Sequence, residues 1–329
     1  MKNWTGAGLL ALAVICCLAQ PLAAADYPLL LVVDRDANTL FFVNAETYKT
    51  ITTLRTGTGA QEVVVSPDWK TAFVSNFNDH NNTIMVVDLE SMEKIKDIKP
   101  TPYYKPHGMV VTPDNKTLYV TCEANRAVVE MDIKSGKLLR AFETDQKLSH
   151  MLALSPDQKM IYTANAAEGT VTFIDVASGM RTGSVRSGGG CEGIAVTRDG
   201  SEVWATNRRG ESIVIIDAKT RKIIETVECR GYPIRIMFTP DGARAVVACA
   251  ALNYLNVFDT KTRKSIDVVR TQQVPVGIDI TPDGKTAFSA NNGEPSVSVI
   301  DLENLKEVHY FAIGKYPFSV RYVPAGNAR

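Results

Sequence analysis

Along most of this chain, short apolar runs alternate with compact polar turns at a fixed spacing. The clearest turns begin at Ser66-Pro-Asp68, Thr112-Pro-Asp114, Ser155-Pro-Asp157, Thr197-Arg-Asp199, Thr239-Pro-Asp241 and Thr281-Pro-Asp283, so their starts are 46, 43, 42, 42 and 42 residues apart. Self-similarity at such a period marks a repeat array. Each turn follows an apolar run such as Met109-Val-Val111 or Ile278-Asp-Ile280. Proline presets the backbone for the second position of a type I turn, and the flanking hydroxyl and carboxylate can bond nearby amides. A hairpin is therefore predicted at every turn.

The second strand of the hairpin is exemplified by Thr117-Leu-Tyr-Val-Thr121 and Ala287-Phe-Ser-Ala290. A third, such as Ser212-Ile-Val-Ile-Ile216, leads to an acid at Asp88, Asp132, Asp175, Asp217, Asp259 or Asp301, and a fourth follows a further turn, as in Lys222-Ile-Ile-Glu-Thr-Val227. Four strands per period with no helical segment between them predict a β-propeller. The amino-terminal part supplies three strands, near 29–33, 40–43 and 50–54, and the carboxyl end supplies one, Phe318–Val323. Together they complete one blade. The expected fold is all-β, a seven-bladed propeller of four-stranded antiparallel blades, closed by terminal strands that share a sheet and so leave no open edge.

The segments Leu118-Tyr-Val-Thr121 and Val299-Ile-Asp301, joined to the Thr-Pro-Asp-Gly turns, resemble the YVTN family of β-propeller repeats, common in exported bacterial proteins. The resemblance spans essentially the whole repeat region. It implies the fold, and it implies company that includes surface-layer proteins, proteins near quinone-cofactor oxidation systems and, more distantly, propeller lactonases and lyases. Because the motif encodes turns and packing, function has to come from a site.

Composition adds a compartment and removes some partners. Lys2, the run Leu9–Leu18 and the small residues Ala23–Ala25 have the layout of a secretory signal, so residues 1–25 are expected to be cleaved and 26–329 to form a single propeller domain. The expected product is periplasmic or secreted, with no membrane insertion after signal cleavage, and monomeric. Of 329 residues, 36 are basic and 36 acidic. A formal net charge of zero without like-charge blocks gives no basis for nucleic-acid binding. Outside the leader four of the six cysteines remain, Cys122, Cys191, Cys229 and Cys249, too few for a disulfide framework. Cys122 and Cys249 occupy equivalent positions three blades apart, out of reach of each other, and read as small buried residues; the relation of Cys191 to Cys229 is open.

Candidate chemistry appears at one position of the repeat. Five residues before each turn, at the start of the innermost strand, stand Gln61, His107, His150, Glu192, Ile234 and Val276, with Phe318 equivalent in the shared blade. If these rim the tunnel mouth, one arc is polar and the other apolar. The lengthened stretches around 76–83, 99–106 and 144–149 map to the same face, and with them His80. Loops that exceed the scaffold's minimum are where a propeller binds. His107, His150 and Glu192 form a donor set that zinc or copper would accept. Arg126 and Arg208, with Arg209 and Tyr254, fall in loops of that face and could hold an anion. No Gly-x-Ser-x-Gly elbow, phosphate loop or dinucleotide fingerprint occurs. The leading expectation is a binding or accessory module that engages a small ligand, a metal or an exported protein partner at the mouth. One alternative is a metal-assisted lactonase, lyase or hydrolase at the same place; another is a cell-surface interaction scaffold.

Overall fold

The turn chemistry seen in the sequence builds the molecule. A computed structural model describes residues 1, 27–78 and 82–326; the expected leader and His80 lie outside the described residues. In each hairpin the hydroxyl donates to the aspartate two residues on, at 2.6–2.7 Å from Ser66 to Asp68 through Thr281 to Asp283. The same hydroxyl accepts the amide that opens the second strand, as at Thr71 and Thr117. The acids that end the third strands turn the chain likewise: Asp88, Asp132, Asp175, Asp217, Asp259 and Asp301 each accept the amide three residues later. These local bonds satisfy loop backbone that would otherwise compete with the sheets.

Seven four-stranded antiparallel sheets result. Blade 1 contains Leu29–Asp34, Thr39–Asn44 and Thr50–Arg55 with Pro317–Val323 as its innermost strand. Blades 2 to 7 begin, innermost first, at Ala60, Pro106, Ser149, Cys191, Pro233 and Pro275. Besides these sheets, the described residues contain two single-turn 3₁₀ helices, Glu123–Asn125 and Ala250–Leu252. The middle strands are buried on both faces, for example Ile213–Ile216, because each sheet packs between two others. Trp204, Tyr162, Phe42 and Phe73 are the largest fully buried side chains.

Closure is antiparallel, with Leu29 opposite Val323 and Val32 opposite Val320. At the mouth end of this pairing the buried Asp34 accepts the amide of Ala37 (2.7 Å), the amide of Tyr316 (2.9 Å) and that of Lys315. One carboxylate thus ties the first strand to the approach of the last. Asp34→Ala should cost about 3 kcal/mol, the scale of losing charge-assisted bonds in a buried setting. Urea unfolding measures it, and an unchanged midpoint would show that strand pairing alone secures the ring.

Candidate functional site

Every innermost strand starts at the tunnel mouth, and a bulge follows its first residue, as between Ala60 and Val63 or Pro106 and Met109. The second residue is thereby turned toward the axis. All seven of these residues, Gln61, His107, His150, Glu192, Ile234, Val276 and Phe318, line one cavity of about 390 Å³. A second ring of seven surrounds them. It consists of the residue after each second strand: Arg35, Phe77, Glu123, Ala166, Arg208, Ala250 and Asn292. The sequence points to the whole first ring and, of the second, to Arg208 alone.

Contacts between the rings create the chemistry. His107 and His150 stack with centroids 3.9 Å apart. Glu123 meets Nδ1 of His150 at 2.6 Å, reaching from blade 3 into blade 4. The donor atoms of His107, His150 and Glu123 lie within 4.8 Å of one another. His107 is 2% exposed and its Nδ1 has no hydrogen-bond partner among the described residues. Burial above all, then the charges of His150, Arg235 and Arg35, holds its pKa well below the ordinary imidazole value, so it is neutral. Phe77 and Phe318 meet its ring edge-on and exclude water from it.

Two placements correct the sequence expectation. Glu192 is not the carboxylate of this cluster: it is paired with Arg208 of its own blade at 3.2 Å, and Glu123 takes its place beside the imidazoles. Arg126 does not line the cavity; it caps the 3₁₀ turn in the left-handed region, φ 54°, and its carbonyl accepts Thr144. Tyr254 is engaged elsewhere on the face, donating its hydroxyl to the Arg230 carbonyl. Arg208 also lies over the Tyr232 ring. Arg35, overlooked in the sequence, lies over Phe318 and forms no ion pair among the described residues. The Gln61 side-chain oxygen is likewise buried without a donor.

The cavity has a floor. One residue deeper, Arg235 of blade 6 crosses to Glu62 of blade 2 at 2.5 Å and touches the Met151 sulfur of blade 4 at 2.9 Å. Ser319 donates to the other Glu62 oxygen at 3.2 Å. At the same depth Gly108 and Gly277 stand where a Cβ would meet backbone of the next blade, at 2.8 Å and 2.6 Å. Small residues there bring neighbouring inner strands together, and the long ion pair spans between blades 6 and 2.

Two outcomes follow. Glu62→Leu or Arg235→Met alone should destabilise by about 3–5 kcal/mol by stranding a buried charge, whereas the double replacement should recover most of that loss. Denaturation of the three variants tests this, and additive losses would contradict it. Second, stability of chelator-treated protein should fall as pH drops below about 6.5, because His107 in the unfolded chain takes a proton that the folded chain refuses. Replacing it, His107→Gln, should flatten that slope by up to one proton; an identical slope in the variant would assign the dependence to other groups.

With this geometry established, comparison with known proteins adds fold and one suggestive family. The family model "Lactonase, 7-bladed beta-propeller" matches residues 29–147, the part that carries Gln61, His107 and Glu123. No curated protein matches the chain significantly. Among solved structures, hydrazine synthase from Kuenenia stuttgartiensis is 21% identical with a TM-score of 0.74, covering 89% of this chain and 99% of that one. A protein of unknown function from Desulfotomaculum acetoxidans is 16% identical with a TM-score of 0.77, over 90% and 99%. A candidate 6-phosphogluconolactonase from Bacteroides fragilis is 15% identical with a TM-score of 0.75, over 91% and 98%. At these identities the likeness is one of fold, the seven-bladed propeller.

Proposed function

We propose that this propeller is an exported, monomeric binding module whose mouth holds a zinc or copper ion on His107, His150 and Glu123 and takes up a small anionic ligand beside it. The observation that carries this reading is the convergence of three donors within 4.8 Å of one another, one of them a buried imidazole with a nitrogen that has no partner among the described residues. Two imidazoles and a carboxylate suit a borderline metal, and the depressed pKa of His107 supplies the unprotonated form that coordination requires of it. The ligand's character is suggested by what surrounds the cluster. Among the described residues Arg35 is a guanidinium without an ion pair and Gln61 offers an unused acceptor, and the volume is in the small-molecule range. A compound bearing both a carboxylate and hydroxyl groups answers to all three. The YVTN-type repeats account for the scaffold and the apolar leader for delivery outside the cytoplasm; neither defines the ligand.

The lactonase family match over 29–147 favours a second reading, lactone hydrolysis at the same mouth. There His150, oriented by Glu123, takes a proton from the water that attacks the carbonyl and returns it to the ring oxygen as the C–O bond breaks, and Arg35 holds the carboxylate that ring opening creates.

Titration of chelated protein with Zn²⁺ and Cu²⁺, followed calorimetrically and by elemental analysis, should show one equivalent bound. His107→Ala with His150→Ala should abolish it, Glu123→Gln should weaken it tenfold or more by analogy with loss of a metal-site carboxylate, and Glu192→Gln should leave it nearly unchanged. Equal affinity in wild type and double variant would overturn the metal reading. Turnover of hydroxy-acid lactones, read as acid release and lost in His150→Ala, would establish the enzyme; its absence with metal still bound leaves the binding module.

A further inference from the structure

Behind the wall of the mouth lies a contact that the repeat register does not reveal. Cys229 follows the outermost strand of blade 5, Ile223–Glu228, and Cys249 ends the second strand of blade 6, Arg244–Cys249. Their sulfurs are 3.6 Å apart. Both are essentially inaccessible, at 1% and 0% exposure, in a cluster with Trp204, Ile213, Val247 and Phe258 that packs blade 5 against blade 6. Cys122 and Cys191 are buried elsewhere, in separate clusters.

We propose that Cys229 and Cys249 form a disulfide that staples blade 5 to blade 6. Two sulfurs at 3.6 Å are in van der Waals contact; bonding at about 2.05 Å asks for side-chain rotation, not separation of the sheets. The segment between them is also held at both ends by its own backbone bonds. Cys229 donates its amide to Glu211, Ala250 to Tyr232 and Ala251 to Gly231. The pair is therefore approximated by the fold, before any bond forms. Formation is thiol–disulfide exchange: one thiolate attacks the disulfide of a donor, oxidised glutathione or a protein disulfide, and releases one donor thiol. The second thiolate then attacks the mixed disulfide, the Sγ–Sγ bond closes, and the second donor thiol leaves with the last of two electrons. Contact with Cys229 and burial push the Cys249 thiol far up, so the exchange belongs to folding, while the thiols are still open to solvent, and the folded protein resists it in either direction.

The consequence reaches the mouth. Cys249 is followed by Ala250 in the outer ring of the cavity, and Cys229 leads through Tyr232, beneath Arg208, to Ile234 in the inner ring. The bond would fix one apolar sector of the wall without using any residue of the metal cluster. It stands independently of whether metal binds.

The test is a disulfide map. The full chain is refolded in mixed oxidised and reduced glutathione, alkylated in guanidinium and digested with trypsin without reduction. The expected product joins the peptides 223–230 and 245–261, with Cys122 and Cys191 alkylated. Reduction during unfolding, followed by refolding with reductant, should lower the thermal midpoint by about 5 °C, the scale of a link closing a loop of this length in a domain of this size. Alkylation of Cys229 and Cys249 as well as Cys122 and Cys191, or a link through Cys122 or Cys191, overturns the proposal. Because the map is made on the natural sequence, it does not depend on a serine variant folding.

Discussion

The pairing of Leu29–Asp34 with Pro317–Val323 is the contact on which the rest of the molecule depends. A sheet whose middle strands are apolar on both faces cannot end at an edge in water, so each blade needs two neighbours, and seven blades supply them only if the last meets the first. The closing strand comes from the far end of the chain, which makes this contact the one of longest sequence separation. Nothing local holds it. Its specification falls to β-branched and aliphatic residues in register, Val32 opposite Val320 and Leu29 opposite Val323, and to Asp34, which gathers backbone amides from the approach to the last strand. A single buried carboxylate at that junction converts a pairing of hydrophobic strands into one with a defined register.

Closure also manufactures the site. Once the inner strands form a ring, the residue that the bulge turns inward and the residue leaving each second strand become neighbours around an axis, though they are tens to hundreds of residues apart in sequence. The scaffold supplies fourteen such positions and is indifferent to what fills them. In this chain the arc of Gln61, His107, His150 and Glu192 is polar, and the opposite arc of Ile234, Val276 and Phe318 is apolar. Outer residues reach the inner residue of the following blade, Phe77 to His107 and Glu123 to His150. Ala166, the next in that series, leaves the space beside Glu192 open, and Glu192 turns to Arg208 in its own blade. The ion pair of Arg235 and Glu62 crosses between blades 6 and 2 one residue deeper than this ring, and the buried groups above it meet in a partly apolar cavity where electrostatic interactions are less screened.

How much of this could be read in advance depends on whether a residue's role is local or crosses blades. The turns were legible because Ser66 and Asp68, or Thr239 and Asp241, satisfy each other within a few residues, and the inner ring was legible because its members recur five residues before those turns. Glu123 was not. Its importance comes from contact with a histidine 27 residues away in the next blade, which no within-repeat comparison samples. Arg35 was missed for the same reason, and Glu192 was assigned a place in the cluster because offset alone cannot show that Arg208 is the nearer partner. The sequence leaves Cys229 open toward Cys191, because nothing in the repeat register shows that Cys229, in an interblade connection, meets the strand of the blade it is about to enter, at Cys249.

One signal was present and can now be given a physical meaning. Most second strands end in asparagine, and Asn76, Asn165, Asn207 and Asn291 use the side-chain amide to bond the loop or the neighbouring strand. Where cysteine stands instead, at Cys122 and Cys249, there is no side-chain amide to make such a bond, and the chain leaves through a 3₁₀ turn. Glu123 and Ala250, which open those turns, take the same outer-ring position as Phe77, Ala166, Arg208 and Asn292 in the other blades. The mouth is therefore distinguished by which side chains fill the two rings: His107, His150 and Glu123 on one arc, Ile234, Val276 and Ala250 on the other.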